Sequence, residues 1–389
     1  MKGWIKLNKK KLLHFVPAIV FLVFIYVMCL LFIFQPKEDY SASEKRYLAD
    51  FPDASFENIV FGDFDSEFES YMADHVAGRS FYVGLNAYYE LASGRNGSNG
   101  VYACADNYLI NDPVDRNTNI ESNLGVFSQF TEANSLNTSL MIIPSTGYVM
   151  SDKLPANHKD YLDGEYFDLI EENCGSMNFI NVENAFKSAA GNGDQLYYRT
   201  DHHWTTRGAY LAYTEYCRAL ELEATPEESY DKTTVSGFYG TTYSTSGFWN
   251  TPPDNIEFWE NRDNIGAVNV KITEGTETEE YDSYFFLSHL EEDDKYPTFL
   301  DGNHALVEIT NENAQGGAIL VIKDSYAHAM MPFLSENYSK IIMVDLRYYK
   351  APISALLDTD GDGENDITDC LVLYSMENFA TDTDIPFLS

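Results

Sequence analysis

Two short segments of this chain carry side chains able to perform proton-coupled chemistry. The first, Tyr197-Tyr198-Arg199-Thr200-Asp201-His202-His203-Trp204-Thr205, sets one carboxylate and two imidazoles in a loop just ahead of a helical pattern. The second, Ala318-Ile319-Leu320-Val321-Ile322-Lys323-Asp324-Ser325-Tyr326, is an apolar strand-like run that stops at a serine and opens into a predicted helix. A strand-to-helix turn is where a nucleophile gains exposure. A serine hydroxyl is a poor nucleophile at neutral pH until an imidazole takes its proton, and that imidazole works best when a carboxylate fixes its tautomer. Ser325 as nucleophile, His203 as base and Asp201 as its orienter suit those roles. With one residue between them, Asp201 can turn back onto the far ring nitrogen of His203, while Thr205 or Thr206 caps the following helix and His202 points elsewhere. Taken alone, the loop reads equally as a polar turn or an incidental metal site; the downstream serine favours the hydrolase reading.

The elements that must hold these groups follow from the hydropathy pattern. Strands are expected at 139–143, 178–182, 319–323, 341–345 and 370–374, and helices near 161–172 and 207–213. Alternating strands and helices indicate a mostly parallel α/β sheet with helices on both faces. Residues 64–92 read as one helical stretch of an N-terminal lobe, in which Asp74 and Arg79 fix packing, and residues 93–100 as a Gly/Ser/Asn-rich turn. Residues 230–298, rich in Ser, Thr, Tyr, Glu and Asp, break the rhythm and read as a β-rich elaboration beside the site.

The blocks T-D-H-H-W at Thr200–Trp204 and K-D-S-Y-A at Lys323–Ala327 resemble the DHHW family of bacterial surface proteins, which is similar to the SGNH-like acetyltransferases of alginate O-acetylation. The resemblance runs from about residue 40 to 389 through Ser43-Glu44-Lys45-Arg46-Tyr47-Leu48-Ala49, Asn99-Gly100-Val101-Tyr102, Asp301-Gly302-Asn303-His304, Pro332-Phe333-Leu334 and Asp345-Leu346-Arg347-Tyr348-Tyr349. It implies an SGNH hydrolase-like three-layer fold in which Asp and His precede Ser, the reverse of the usual SGNH order. Lys323 stands where SGNH enzymes usually carry Gly. An SGNH oxyanion hole draws on a Gly amide and an Asn side chain, which points to Gly302 and Asn303; a turn is the plainer reading of that pair. The amide of Ser325 or of Tyr326 is the other donor expected at the start of the helix. Arg347 follows the strand Lys340-Ile341-Ile342-Met343-Val344, and serves either the site or a salt bridge.

Phe15–Phe34 is an unbroken apolar run, long enough at about 1.5 Å per helical residue to cross a hydrocarbon core of about 30 Å. Lys2, Lys6, Lys9, Lys10 and Lys11 precede it, so the N-terminus is expected inside and everything beyond Gln35 outside. No small-residue cleavage site follows, which favours an uncleaved signal anchor. The organisation expected is a cytoplasmic segment at 1–11, a transmembrane anchor at 12–35, a linker and helical lobe at 36–100, and an α/β domain at 101–389 with an insertion near 230–298. The whole chain carries −36, and five lysines with no acid precede Gln35, leaving −41 on the remainder. Such a charge excludes nucleic acid as a partner but not neutral sugars. Cys29 lies in the apolar run, and Cys104, Cys174, Cys217 and Cys370 admit two disulfides or none, without metal-ligand spacing.

A last constellation, residues 358–369, sets Asp358, Asp360, Asp362, Asp366 and Asp369 at positions 1, 3, 5, 9 and 12 with Gly363 at position 6, the spacing of an EF-hand or dockerin calcium loop. No clear helix pair flanks it, and Asp replaces Glu at position 12. Structural calcium and a solvated acidic turn are the two readings; catalysis requires no cofactor. The sequence thus predicts a membrane-anchored, outward-facing acyl-ester enzyme. By resemblance, it acetylates a cell-surface polysaccharide with acyl groups delivered by a multi-pass membrane O-acyltransferase. A carbohydrate acetylesterase is the enzymatic alternative, and a catalytically silent glycan-binding or assembly protein the non-enzymatic one. A metal phosphoesterase would need further Asp/His clusters.

Overall fold

The computed structural model of the chain describes residues 9–41, 46–116, 118–292, 294–358 and 365–388. Lys2, Lys6, the block Ser43-Glu44-Lys45, and Asp360 and Asp362 of the acidic loop lie outside the described residues. Two compact units emerge, Met1–Tyr89 and Glu90–Ser389.

The first unit is helical. Helix α1 (Lys9–Phe34) is followed by the short paired strands β1 (Tyr40–Ser41) and β2 (Arg46–Tyr47), then α2 (Phe56–Phe61), α3 (Phe64–Asp74) and α4 (Arg79–Ala92). Phe15–Phe34 is the one segment among the described residues long and apolar enough to cross a membrane. The single helix expected over 64–92 is two, because the chain turns at Gly78, whose φ of +73° is costly for any residue with a Cβ. Asp74 fixes packing as expected: both carboxylate oxygens meet the Arg46 guanidinium, and that hydrogen bond holds its pKa at about 2.

The second unit is a layered α/β structure. After the small sheet β3 (Gly97–Ser98), β4 (Val101–Ala103) and β5 (Leu109–Asn111) come α5 (Ile120–Asn134), β6 (Asn137–Ile143), α6 (Thr146–Val149), α7 (Asp163–Asn173), β7 (Asn178–Phe179), α8 (Glu183–Gly191) and α9 (Thr206–Ala219). A second run holds β8 (Tyr230–Phe238), α10 (Thr241–Ser246), β9 (Asp254–Asn261), β10 (Val268–Glu274), β11 (Glu277–Tyr281), β12 (Leu306–Asn311), β13 (Ala318–Lys323), α11 (Met331–Leu334), β14 (Lys340–Val344), β15 (Asp369–Ser375) and α12 (Met376–Thr381). The main sheet has the order β11-β10-β12-β14-β13-β15-β6-β7. Its β14-β13-β15-β6-β7 half is parallel, while β10, β11 and β12 join antiparallel.

Each central strand alternates between two cores, which is the period-2 geometry of a buried strand. Ile319 and Val321 face one side with Trp204, Ala209 and Tyr213 of the α9 region. Leu320 and Ile322 face the other with Phe127 of α5, Phe167 of α7 and Phe379 of α12. Helices on both faces complete three layers. The sequence expectation therefore holds for the parallel half. The 230–298 elaboration is β-rich, and its later strands β10 and β11 lengthen the main sheet rather than standing apart. The five cysteines are all free thiols; burial pushes Cys217 up to about 11 and Cys370 up to about 12, which leaves both inert.

Candidate active site

Ser325 leaves the carboxyl end of β13, the strand flanked by β14 and β15, where ligands of open α/β sheets bind. The chain does not enter an α-helix there but a 3-10 turn, Ser325–Met330, before α11. Asp324 caps that turn: its Oδ1 accepts the Tyr326 amide at 2.9 Å. Its Oδ2 accepts the Ser375 amide and hydroxyl, each at 2.9 Å, and the Asn378 side chain at 2.7 Å, tying the end of β13 to the end of β15. Asp324 is thus the fastener of the nucleophile turn.

The Asp-His loop sits on a narrow hairpin. Tyr198 N–H donates to the His203 carbonyl at 3.2 Å and Thr205 N–H to the Leu196 carbonyl at 2.8 Å, which leaves Asp201 and His202 at the tip. Thr205 caps α9 as expected, its hydroxyl accepting from the Gly208 amide. Asp201 Oδ1 accepts both the His203 backbone N–H at 2.8 Å and its ring Nδ1–H at 2.5 Å, an Asx turn that converts a two-residue spacing into an oriented imidazole. The opposite nitrogen, Nε2, lies 2.7 Å from Ser325 Oγ. The three side chains picked from the sequence therefore form one continuous hydrogen-bonded chain. Burial, with His202 adding to it, lowers the His203 pKa against the opposing pull of Asp201, so the ring is neutral at neutral pH and able to accept a proton.

Several groups with no sequence signal hold this loop. Asp201 Oδ2 accepts the Thr241 amide at 2.7 Å. Gly240 lies so close that a Cβ would stand 2.1 Å from Asp201 Cβ and 2.2 Å from its Oδ2, so only glycine fits. The buried Asp254 carboxylate accepts the Thr200 amide at 2.8 Å and hydroxyl at 2.7 Å. Trp204 Nε1–H donates to the Tyr326 carbonyl at 2.9 Å, and the Tyr326 hydroxyl donates to the His202 carbonyl, so loop and serine turn clasp each other. Tyr296 stacks on the His203 ring at 3.7 Å and 11°, and its hydroxyl donates to the Ser325 carbonyl at 3.2 Å. His202 turns its Nδ1 to the Thr241 hydroxyl at 2.5 Å, while its ring packs against that of His203 at 3.9 Å. The ligand atoms of Asp201, His202 and His203 lie close enough to chelate an ion, but the Asp201 and His203 atoms are already paired with each other and with Ser325.

The expected oxyanion donors fare differently. The Tyr326 amide is taken by Asp324, and the Gly302 amide donates to the Phe299 carbonyl at 3.2 Å, so neither is at liberty to meet an oxyanion. Asn303 is exposed, its Oδ1 accepting from Arg347 at 3.2 Å. Arg347 makes a salt bridge: Nε and NH2 fork onto Asp345 at 2.8 and 2.6 Å. Asp345 also receives Lys323 Nζ at 3.0 Å, and that Nζ lies 2.8 Å from His328 Nε2. Burial alone would raise the Asp345 carboxyl, but Arg347 and Lys323 outweigh it and hold it below the ordinary range. Lys323 is therefore buried under the nucleophile turn between Asp345 and His328, with burial lowering its pKa against the opposing pull of Asp345.

A polar cavity of ≈ 420 Å³ is lined by Arg199, Thr206, Arg207, Glu227, Lys232 and Asp254 among others, without Asp201, His203 or Ser325.

The comparisons agree with this architecture. The fold matches that of a DHHW family protein from Eubacterium siraeum DSM 15702, with a TM-score of 0.63 at 20% identity over 75% of this chain and 97% of that one. It matches Bacillus cereus PatB1, solved with a sulfonyl adduct, with a TM-score of 0.62 at 20% identity over 73% of this chain and 97% of that one. The O-acetyltransferase domain of Pseudomonas putida AlgJ aligns at 15% identity over 73% of this chain and 94% of its own, with a TM-score of 0.45, a likeness too distant to build on. No functionally curated protein matches by sequence. Residues 166–344, which hold Asp201, His203 and Ser325, match the family described as DHHW protein.

Proposed function

We propose that this chain is a membrane-anchored, extracytoplasmic SGNH-like O-acyltransferase that acetylates a cell-surface polysaccharide through an acyl-enzyme on Ser325. The observation that carries the reading is the unbroken Asp201–His203–Ser325 hydrogen-bond chain around a neutral imidazole. In the first half-reaction, Ser325 Oγ attacks the donor's acyl carbon while His203 Nε2 takes the hydroxyl proton, and Asp201 stabilises the imidazolium. The tetrahedral oxyanion meets the Ser325 amide and the Asn303 carboxamide, and collapse expels the donor's leaving group, which recovers the proton from His203. In the second, a sugar hydroxyl gives its proton to His203 and attacks the acyl-serine; collapse breaks the bond from the acyl carbon to Ser325 Oγ, which takes the proton back from His203. PatB1, of similar fold, was obtained with a sulfonyl adduct, which recommends a sulfonyl fluoride as a probe. A multi-pass membrane O-acyltransferase supplies the acyl group in this scheme.

The test is p-nitrophenyl acetate turnover by the full chain in detergent, with and without an acceptor glycan. Ser325→Ala and His203→Ala each abolish acetyl release, and a sulfonyl fluoride labels the unaltered chain but not Ser325→Ala. Acetylated glycan among the products establishes the transferase. Acetate alone establishes the esterase, and full activity in Ser325→Ala refutes the serine mechanism and leaves a glycan-binding or assembly role.

A further inference from the structure

Helices α2 and α3 bury no residue of their own, although both are rich in apolar side chains. Phe51, Phe56, Phe61 and Met72 are 57, 79, 82 and 46% exposed in water. Side chains of that size on one small unit call for a cover. The contacts of α3 say where the cover lies. Phe32, in the last turn of the apolar helix α1, meets the Tyr71 ring edge-on at 6.0 Å. Gln35, just past the end of α1, donates from Nε2 to the His75 carbonyl at 2.5 Å, and His75 Nε2 lies 3.0 Å from the Ala49 carbonyl. Phe51 then packs edge-on against Tyr71 at 5.3 Å and Phe68 at 6.0 Å. Lys37 folds back over Phe32, its Nζ 3.8 Å from the ring centre and 2.6 Å from the carbonyl. The aromatic group of Phe51, Phe68 and Tyr71 is therefore fastened at the level where α1 ends, and Tyr40 and Tyr47, paired at 5.4 Å, follow within a few residues.

We infer that this cluster is an interfacial collar, seated in the headgroup layer of the same bilayer that α1 crosses, on the side away from the N-terminal lysines. Aromatic rings favour that layer because they offer an apolar body with polar edges. The inference rests on reading α1 as a membrane anchor. Charge narrows the lipid. Residues 48–78 hold eight Asp and Glu and no Lys or Arg, so electrostatics repel anionic headgroups and attachment is apolar. The surface fits zwitterionic lipid.

The full chain in phosphatidylcholine nanodiscs, with p-benzoylphenylalanine replacing Phe51, tests this. Irradiation is expected to give a lipid adduct several-fold above that from the same replacement at Ser66, on the opposite face of α3, and to give less adduct in phosphatidylglycerol discs at low salt. Adducts confined to protein, whether residues 90–389 or a second copy, overturn the collar, as do equal yields at the two positions or a higher yield with phosphatidylglycerol. Co-elution of chain and disc is scored separately. If it fails, anchor and collar fall together; if it holds without a lipid adduct, only the collar falls.

Discussion

Ser325 and His203 meet at 2.7 Å, yet the chain brings them there by different means. The serine arrives on a parallel strand with partners on both sides and a carboxylate, Asp324, that ties its turn to the next strand. The Asp-His loop stands at the tip of a hairpin and depends on groups from 230–300: Gly240 and Thr241 against Asp201, Asp254 against Thr200, and Tyr296 against the imidazole. The nucleophile is placed by the central sheet, whereas its base is placed by the segment 230–300. Changes in that segment are therefore expected to damage catalysis more than folding.

Among the groups that hold the Asp-His loop, the largest effect is expected at Gly240. Its replacement by alanine drives a methyl into the Asp201 side chain, and a displacement of about 1 Å costs roughly 100-fold in turnover of an activated acetate ester; far-ultraviolet circular dichroism should match the parent. Collapse of the spectrum would show that the loop belongs to the scaffold after all. Trp204→Phe removes one N–H to the Tyr326 carbonyl, a loss of about 1 kcal/mol, and should lower turnover several-fold with little change in KM. An unchanged rate would mean the clasp is redundant.

A pH profile sharpens the contrast. The His203 pKa is lowered, so the neutral base persists below the ordinary histidine value of about 6.5 and turnover falls only at more acid pH. The same shift means the folded state binds fewer protons than the unfolded one between the two values, so stability also declines as pH drops through that window. A rate that halves above pH of about 6.5 would contradict the neutral-imidazole site. The smallest effect is expected for His202→Ala, which loses the Thr241 contact and one of the two rings packed on His203 but no hydrogen bond of the Asp201–His203–Ser325 chain, and should retain much of the activity.

The two means of placement also explain what could be read in advance. The apolar run ending in Lys323-Asp324-Ser325 and the D-x-H spacing ahead of a capped helix are local patterns, and both lead to residues that the fold brings together. Gly240, Thr241, Asp254 and Tyr296 are ordinary residue types whose meaning appears only when distant segments meet, and no local periodicity marks them. The segment 230–298 is legible as β-rich, but pairing of β10 with β12 depends on a register between separated strands. Two of the expected oxyanion donors are taken up elsewhere for a related reason. A backbone amide looks equally available everywhere in a sequence, and only the fold shows that those of Gly302 and Tyr326 are already engaged.

The His203 ring lies between two others, Tyr296 at 3.7 Å and His202 at 3.9 Å, while Asp201 grips both its backbone and its Nδ1. An imidazole so sandwiched has no room to swivel about its Cβ–Cγ bond. A cycle in which the ring picks up a proton at one position and rotates to release it at another is thereby closed to this site. The nitrogen facing Ser325 must serve as acceptor and donor in turn, and every molecule that exchanges a proton with it must enter along the same line of approach.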